Sequence, residues 1–156
     1  MAAMPCELAK IMIAETSEHQ VIWLREKEEP GRTFPILIGL FEAVAIDRKI
    51  REVDTPRPLT HDLLANVISS LSGVVERIVV NELRNNTFYA TLVVRQDGKV
   101  IEVDSRPSDA IALAVRLDTP LFVEESVIEQ VTSWQAEAGG EEPGPMDEDG
   151  EQEEEV

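Results

Sequence analysis

The stretch DSRPSDAIALAVRL, Asp104 to Leu117, sets two carboxylates and a guanidinium within six positions, ahead of an almost wholly apolar run. A carboxylate pair can bind a hard divalent cation, Mg2+ or Mn2+, and an arginine beside it can grip a phosphate with two parallel hydrogen bonds. Asp104 and Asp109 are therefore the candidate metal ligands, and Arg106 the candidate phosphate contact. The same residues also suit ordinary helix-start chemistry, in which Asp109 caps the helix or pairs with Arg106. His61 and Asp62 form a second polar group. An imidazole titrates near neutrality, so His61 is a candidate general acid or base, while a solvated first turn of a helix would need no function from either residue. Glu42 is the third candidate. It stands three residues after Gly39, where a carboxylate also favours a helix N-terminus. Arg48, Lys49, Arg51 and Arg57 lie within ten positions of one another. They are the best local patch for phosphate, although cations near a helix C-terminus need no function.

Other chemistries lack their residues. The chain has no phosphate loop, no GxGxxG and no HExxH. Its one cysteine, Cys6, and two histidines exclude a cysteine–histidine zinc site and an intramolecular disulfide. Nothing around any serine resembles a nucleophile elbow.

The elements that must position these groups read as α+β. Residues 7–15 and 20–27 alternate as half-buried strands, with a turn near Ser17–His19. Residues 33–38 make a third strand, and Pro35 puts it at an edge or a bulge. Gly39 opens a helix. A rigid loop, Asp54–Pro58, leads to Thr60 as an N-cap and to the clearest amphipathic helix of the chain. Its Leu63, Leu64, Val67, Ile68 and Leu71 share one face, and Gly73 is its expected stop. A β-meander follows. Asn85-Asn86 and Asp97-Gly98 suit two-residue type I′ turns. The registers predict Leu92 opposite Val103, Val94 opposite Ile101 and Thr91 opposite Asp104, which leaves Asp104 on the more polar face. Pro107 starts a helix that is apolar nearly all round and so central. A short strand at 120–123 and a final helix at 125–134 complete a mixed or antiparallel sheet with three to four helices packed on it.

The formal charge is −17, unevenly spread. Ten acids and no basic residue lie from Glu137 onward, so residues 1–136 carry only −7. The glycine-, proline- and acid-rich segment 136–156 is expected to be a disordered tail beside a globular domain of residues 1–135. An acidic body has no global attraction for nucleic acid, so binding would rest on a local patch. No apolar run approaches the ~20 residues of a membrane span. Lys10, Glu7 and Glu15 spoil a signal-peptide pattern, and the expected setting is cytoplasmic.

The stretches FPILIGLFEAVAI, RPLTHDLLANVISSL, FYATLVV, IEVDSRPSDAIALAVRL and PLFVEE, in that order, resemble the bifunctional nuclease domain family, bacterial type. The resemblance covers roughly residues 5–130, and RPSDAIALA is its most telling stretch. It implies a compact α+β domain that self-associates as a homo-oligomer and hydrolyses phosphodiester bonds in DNA and RNA. The positions matching the family's polar motifs are Glu42, Arg57, His61, Asp62, Asp104, Arg106, Ser108 and Asp109.

Two readings result. In the first, a nuclease without sequence preference draws catalytic groups from Asp104, Asp109, His61, Asp62 and Glu42. Arg106, Arg57, Ser108, Arg48 and Lys49 hold the substrate, and a divalent cation polarises the phosphoryl oxygen. In the second, a non-enzymatic oligomeric α+β module binds a partner, and the polar motifs are caps and salt bridges. Convergence of the carboxylates in an open cleft separates the two.

Overall fold

A computed structural model describes residues 2–14, 16 and 19–139. Seven strands appear among them: β1 (Ala3–Met12), β2 (His19–Glu26), β3 (Thr33–Gly39), β4 (Gly73–Arg84), β5 (Thr87–Gln96), β6 (Lys99–Ser105) and β7 (Leu121–Glu124). They form one sheet in the order β3-β2-β1-β7-β4-β5-β6. The β4–β7 pair is parallel and the other pairs are antiparallel, so the sheet is mixed. Four helices join it: α1 (Leu40–Ile50), α2 (Thr60–Ser70), α3 (Pro107–Leu117) and α4 (Glu125–Ala138).

Strand alternation gives the sheet one core face. Phe34, Leu24, Leu121, Ile78 and Ala90 lie on it, together with the buried positions of all four helices. Two bulges in β4, after Val75 and after Val80, keep Val75, Ile78, Val80 and Leu83 on that face despite uneven spacing. The Asn85-Asn86 and Asp97-Gly98 turns carry positive φ at all four residues, as type I′ geometry requires. Leu92 faces Val103, Val94 faces Ile101 and Thr91 faces Asp104. Pro35 lies on the edge strand β3, where a missing N–H costs no ladder bond.

α3 is the central helix. Pro107, Ser108 and every residue from Ala110 to Ala114 are buried, and the helix packs against both α1 and α2. Its alanines permit that close approach.

Several boundaries differ from the sequence expectation. The N-cap of α2 is Leu59, not Thr60, and the Asp62 carboxylate accepts the Leu59 N–H at 3.0 Å. The left-handed residue after α2 is Ser72, with φ 61°. Gly73 instead opens β4, where an added Cβ would stand 3.0 Å from Ile68 Cγ2. α4 continues to Ala138, three residues into the segment assigned to the tail. The rest of that segment, from residue 140, and most of the turn expected at Ser17–His19 lie outside the described residues. The largest departure is α2 itself. Ala65 is its buried residue, while Leu63 and Val67 are 56% and 45% exposed. Periodicity identifies an apolar face but not what covers it, and here the helix stands over the open margin of the sheet.

An ion pair with one buried member lies at the end of β2 and β3 remote from Gly39. Glu26 has a side chain only 5% exposed. Its Oε2 accepts from Arg32 Nε at 2.7 Å and from the Arg32 backbone N–H at 2.9 Å, and its Oε1 accepts from Nη2 at 2.7 Å. Nη2 also donates to Glu125 at the start of α4, at 2.7 Å. The Arg32 hydrogen bonds hold the Glu26 carboxyl below its ordinary value of 4.5, against the opposing effect of burial. A depressed folded-state pKa gives stabilisation that is complete above 4.5 and lost as pH falls through the lowered value. Glu26→Gln should therefore cost about 2 kcal/mol near neutrality. The gap from wild type in urea unfolding should shrink in acid, and a gap constant at every pH would overturn this account.

Candidate functional site

The first turns of α1, α2 and α3 meet at one end of the core face, where four side chains are linked in series. His61, in the first turn of α2, places Nε2 2.9 Å from Asp109 Oδ1. Asp109, in the first turn of α3, uses Oδ2 to accept from Arg106 Nε at 2.9 Å and Nη2 at 2.8 Å. Arg106, the N-cap residue of α3, extends Nη2 to Glu42 Oε1 at 2.6 Å. Glu42 lies in the first turn of α1. Partners 64 and 48 residues apart in sequence are thus joined by hydrogen bonds.

The linkage fixes the chemistry of its members. An ionised carboxylate only accepts, so Asp109 selects the His61 tautomer with its proton on Nε2 and leaves the Nδ1 lone pair as the basic site. The hydrogen bonds from Arg106 to Glu42 and Asp109 raise the guanidinium pKa further and keep it charged. Its Nη1 is engaged by neither carboxylate, and the side chain is 64% exposed. No side chain caps α1 or α3, so their first N–H groups remain a source of positive potential at the same spot.

These groups form the polar end of an open groove of ≈ 1420 Å³. Its other walls are apolar, from α1, α2 and the margin of the sheet, and include Phe41, Leu63, Val67, Leu92 and Val103. Arg48 also lines it.

The remaining sequence candidates fall elsewhere. Asp62 follows His61 directly, and one helical step of about 100° turns it away. Its Oδ1 accepts from Arg116 Nε at 2.6 Å, and it borders a second depression with Lys49 and Arg57. The Leu59 N–H, followed by Arg116, holds the Asp62 carboxyl below its ordinary range against the effect of burial. Ser108 is buried in the first turn of α3 and is not among the residues lining the groove. Asp104 lines the groove at the end of β6 but is opposite Thr91. Ser105 pairs with core-facing Ala90, so alternation turns the Asp104 side chain to the far face of the sheet. Both Asp109 oxygens already accept hydrogen bonds, Oδ1 from His61 and Oδ2 from Arg106. Among the described residues, no group of three or more His, Cys, Asp and Glu could hold a metal ion. Strand register and the helix start present Asp104 and Asp109 differently, with Asp109 hydrogen-bonded to His61 and Arg106.

Three residues of the site were missed in the sequence. Arg116, with a side chain 7% exposed, also donates to the Ala112 and Ala45 carbonyls at 2.7 and 3.2 Å and so ties α1, α2 and α3 together. At Gly39, the space a Cβ would fill is taken by Glu42 Oε2, so the absent side chain lets Glu42 fold back toward Arg106. Phe41, beside Glu42, is 86% exposed in the groove. The strongest signal for the first two was the helical register around residues already singled out.

Among the described residues, no helix is long and apolar enough to cross a membrane. The bifunctional nuclease domain profile matches residues 22–135. An uncharacterized protein of Mycobacterium tuberculosis strain H37Rv is 38% identical over 116 residues, covering 74% of this chain and 69% of that protein. Bifunctional nuclease 2 of Oryza sativa subsp. japonica is 28% identical over 118 residues, 74% of this chain and 36% of the rice protein. Bifunctional nuclease 1 of Arabidopsis thaliana is 25% identical over 114 residues, 71% of this chain and 35% of the plant protein. With its profile match covering most of the described fold, the chain belongs to the bifunctional nuclease domain family.

Proposed function

We propose that the polar end of the groove hydrolyses phosphodiester bonds in DNA and RNA. The observation that carries this reading is the His61–Asp109–Arg106–Glu42 linkage at the meeting point of three helix starts. A phosphate placed there faces Arg106 and uncapped backbone N–H groups, which would stabilise charge developing on its oxygens. His61, oriented by Asp109, takes a proton from water through Nδ1. The water oxygen bonds to phosphorus and the ester P–O bond breaks. His61 then returns the proton to the leaving oxygen. Glu42 and Asp109 hold Arg106 in place, and Arg48 binds the adjoining backbone. Phosphate contacts carry no sequence information, in keeping with cleavage of either nucleic acid without strong sequence preference.

Asp62 acts in this scheme through structure, by fixing the start of α2 that carries His61. No step passes through a divalent cation. A cation bound with the substrate is tested directly by the Mg2+, Mn2+ and EDTA arms below.

The second reading, an oligomeric binding module, draws on a different observation. β6 is an exposed edge strand, and the apolar face of α2 stands partly uncovered beside it. A second copy of the chain is the simplest cover for such a surface.

The readings separate in a cleavage assay on labelled single-stranded DNA and RNA, in Mg2+, Mn2+ and EDTA, with variants verified as folded. His61→Ala and Asp109→Asn should each lose about 10²–10⁴-fold in rate, and Asp104→Ala should lose much less. Equal activity in wild type and His61→Ala would return the linkage to architecture. Loss in Asp104→Ala as large as in Asp109→Asn, confined to the metal arms, would restore the carboxylate–metal mechanism.

Arg106→Lys gives a separate prediction. Lysine keeps the charge but cannot span Glu42 and Asp109 with a planar fork. Its kcat/KM should fall about tenfold, equivalent to one charge-assisted hydrogen bond. Unchanged kinetics would show that charge alone suffices at this position.

A further inference from the structure

Phe41 is an aromatic ring 86% exposed, in the residue next to Glu42, on the wall of the groove that ends at His61, Arg106 and Asp109. Its own helix start offers no reason for a large apolar side chain in water. The wall continues in Leu63 and Val67 of α2 and reaches Leu92 and Val103 of the sheet. The groove thus has two chemically different parts: cations and free N–H groups at one end, and an apolar strip leading away from them.

We propose that this strip is a base-binding surface, with Phe41 as its platform, and that it selects unpaired nucleotides. The inference rests on the nuclease reading of the polar end and names the substrate class it takes. A duplex turns its base faces inward and presents phosphate and sugar to its surroundings. An apolar wall offers those groups nothing. An unpaired base has an exposed π-face, which stacks on an aromatic side chain with little regard to which base it is. With a phosphate at the helix starts, the adjoining base lies beside Phe41, because Phe41 lines the same groove as Glu42, His61, Arg106 and Asp109. Charge and apolarity therefore complement one strand of nucleic acid: backbone at the polar end, bases along the wall.

The test is equilibrium binding by the full chain, read by fluorescence anisotropy under non-cleaving conditions. The probes are a short single-stranded oligonucleotide, the same strand with abasic sites in place of its bases, and a blunt duplex. Wild type should bind the single strand about fivefold or more tighter than the abasic strand, and the duplex no better than the abasic strand. Phe41→Ala should lose that preference and bind both strands at the abasic level, while Phe41→Trp should retain it. Arg106→Ala should weaken the single and abasic strands alike.

Equal wild-type affinity for the single and abasic strands, or an unchanged preference in Phe41→Ala, would overturn the base-binding inference and leave the nuclease reading standing. No binding of any probe, together with no cleavage, would overturn both. If Phe41→Ala instead changes the mass in light scattering and leaves binding untouched, the strip is a contact between copies of the chain and the inference is wrong.

Discussion

Three helices beginning at one point is the constraint from which the site follows. Each start carries a partial positive charge from its free N–H groups, and three such charges brought together repel. The chain meets this with one acid in each first turn: Glu42 in α1, Asp62 in α2 and Asp109 in α3. Acids in that position would draw cations even without a function. Arg106 joins Glu42 to Asp109, Arg116 holds Asp62, and His61 shares Asp109 with Arg106. The polar cluster is therefore partly an electrostatic requirement of the fold. What the requirement does not explain is why Arg106 remains largely exposed with one nitrogen uncommitted, while Arg116, serving the same kind of carboxylate, is buried with its hydrogen bonds taken by protein. One arginine completes the architecture, and the other is left facing a groove.

Much of this was legible because it is local. Alternation and turn chemistry fixed the β5–β6 register to the residue, since only φ-positive residues at Asp97-Gly98 allow the two-residue turn and the pairings then count outward. The all-apolar helix after Pro107 had to be central, because no face of it could be left to water. Pro35 had to be at an edge. The site was legible only as a set of residue types. Neighbours in sequence went to different partners: His61 to Asp109 and Asp62 to Arg116. Asp104 and Asp109, five residues apart, were divided by strand alternation and a helix start, so their pairing as metal ligands did not follow from proximity.

The exposure of α2 was illegible for a different reason. A helix with one apolar face is normally read as lying on a core, because most such faces do. Its placement depends on how far the sheet extends beneath it. Here the sheet ends in β6, a strand exposed along almost its whole length, and the apolar residues on its core side, Ile101 and Val103, are themselves half open. The same pattern of leucines and valines that predicts burial in the fold thus builds the wall of an open groove.

That wall bears on the difficulty raised by the charge of the chain. A protein with a formal net charge of −17 cannot collect a polyanion by long-range attraction. Among the described residues that line the groove there is no lysine, the usual solution, and the cationic side chains are Arg48, Arg106 and, when protonated, His61. Few phosphates could therefore be neutralised at once, and counterion release would give little of the energy of the proposed binding. The energy must come from contacts that an acidic body does not oppose, and burial of apolar base surface is such a contact. On the proposed function an acidic protein acting on nucleic acid is no contradiction: charge would be needed only where one phosphate is held, and the proposed base surface would retain the strand.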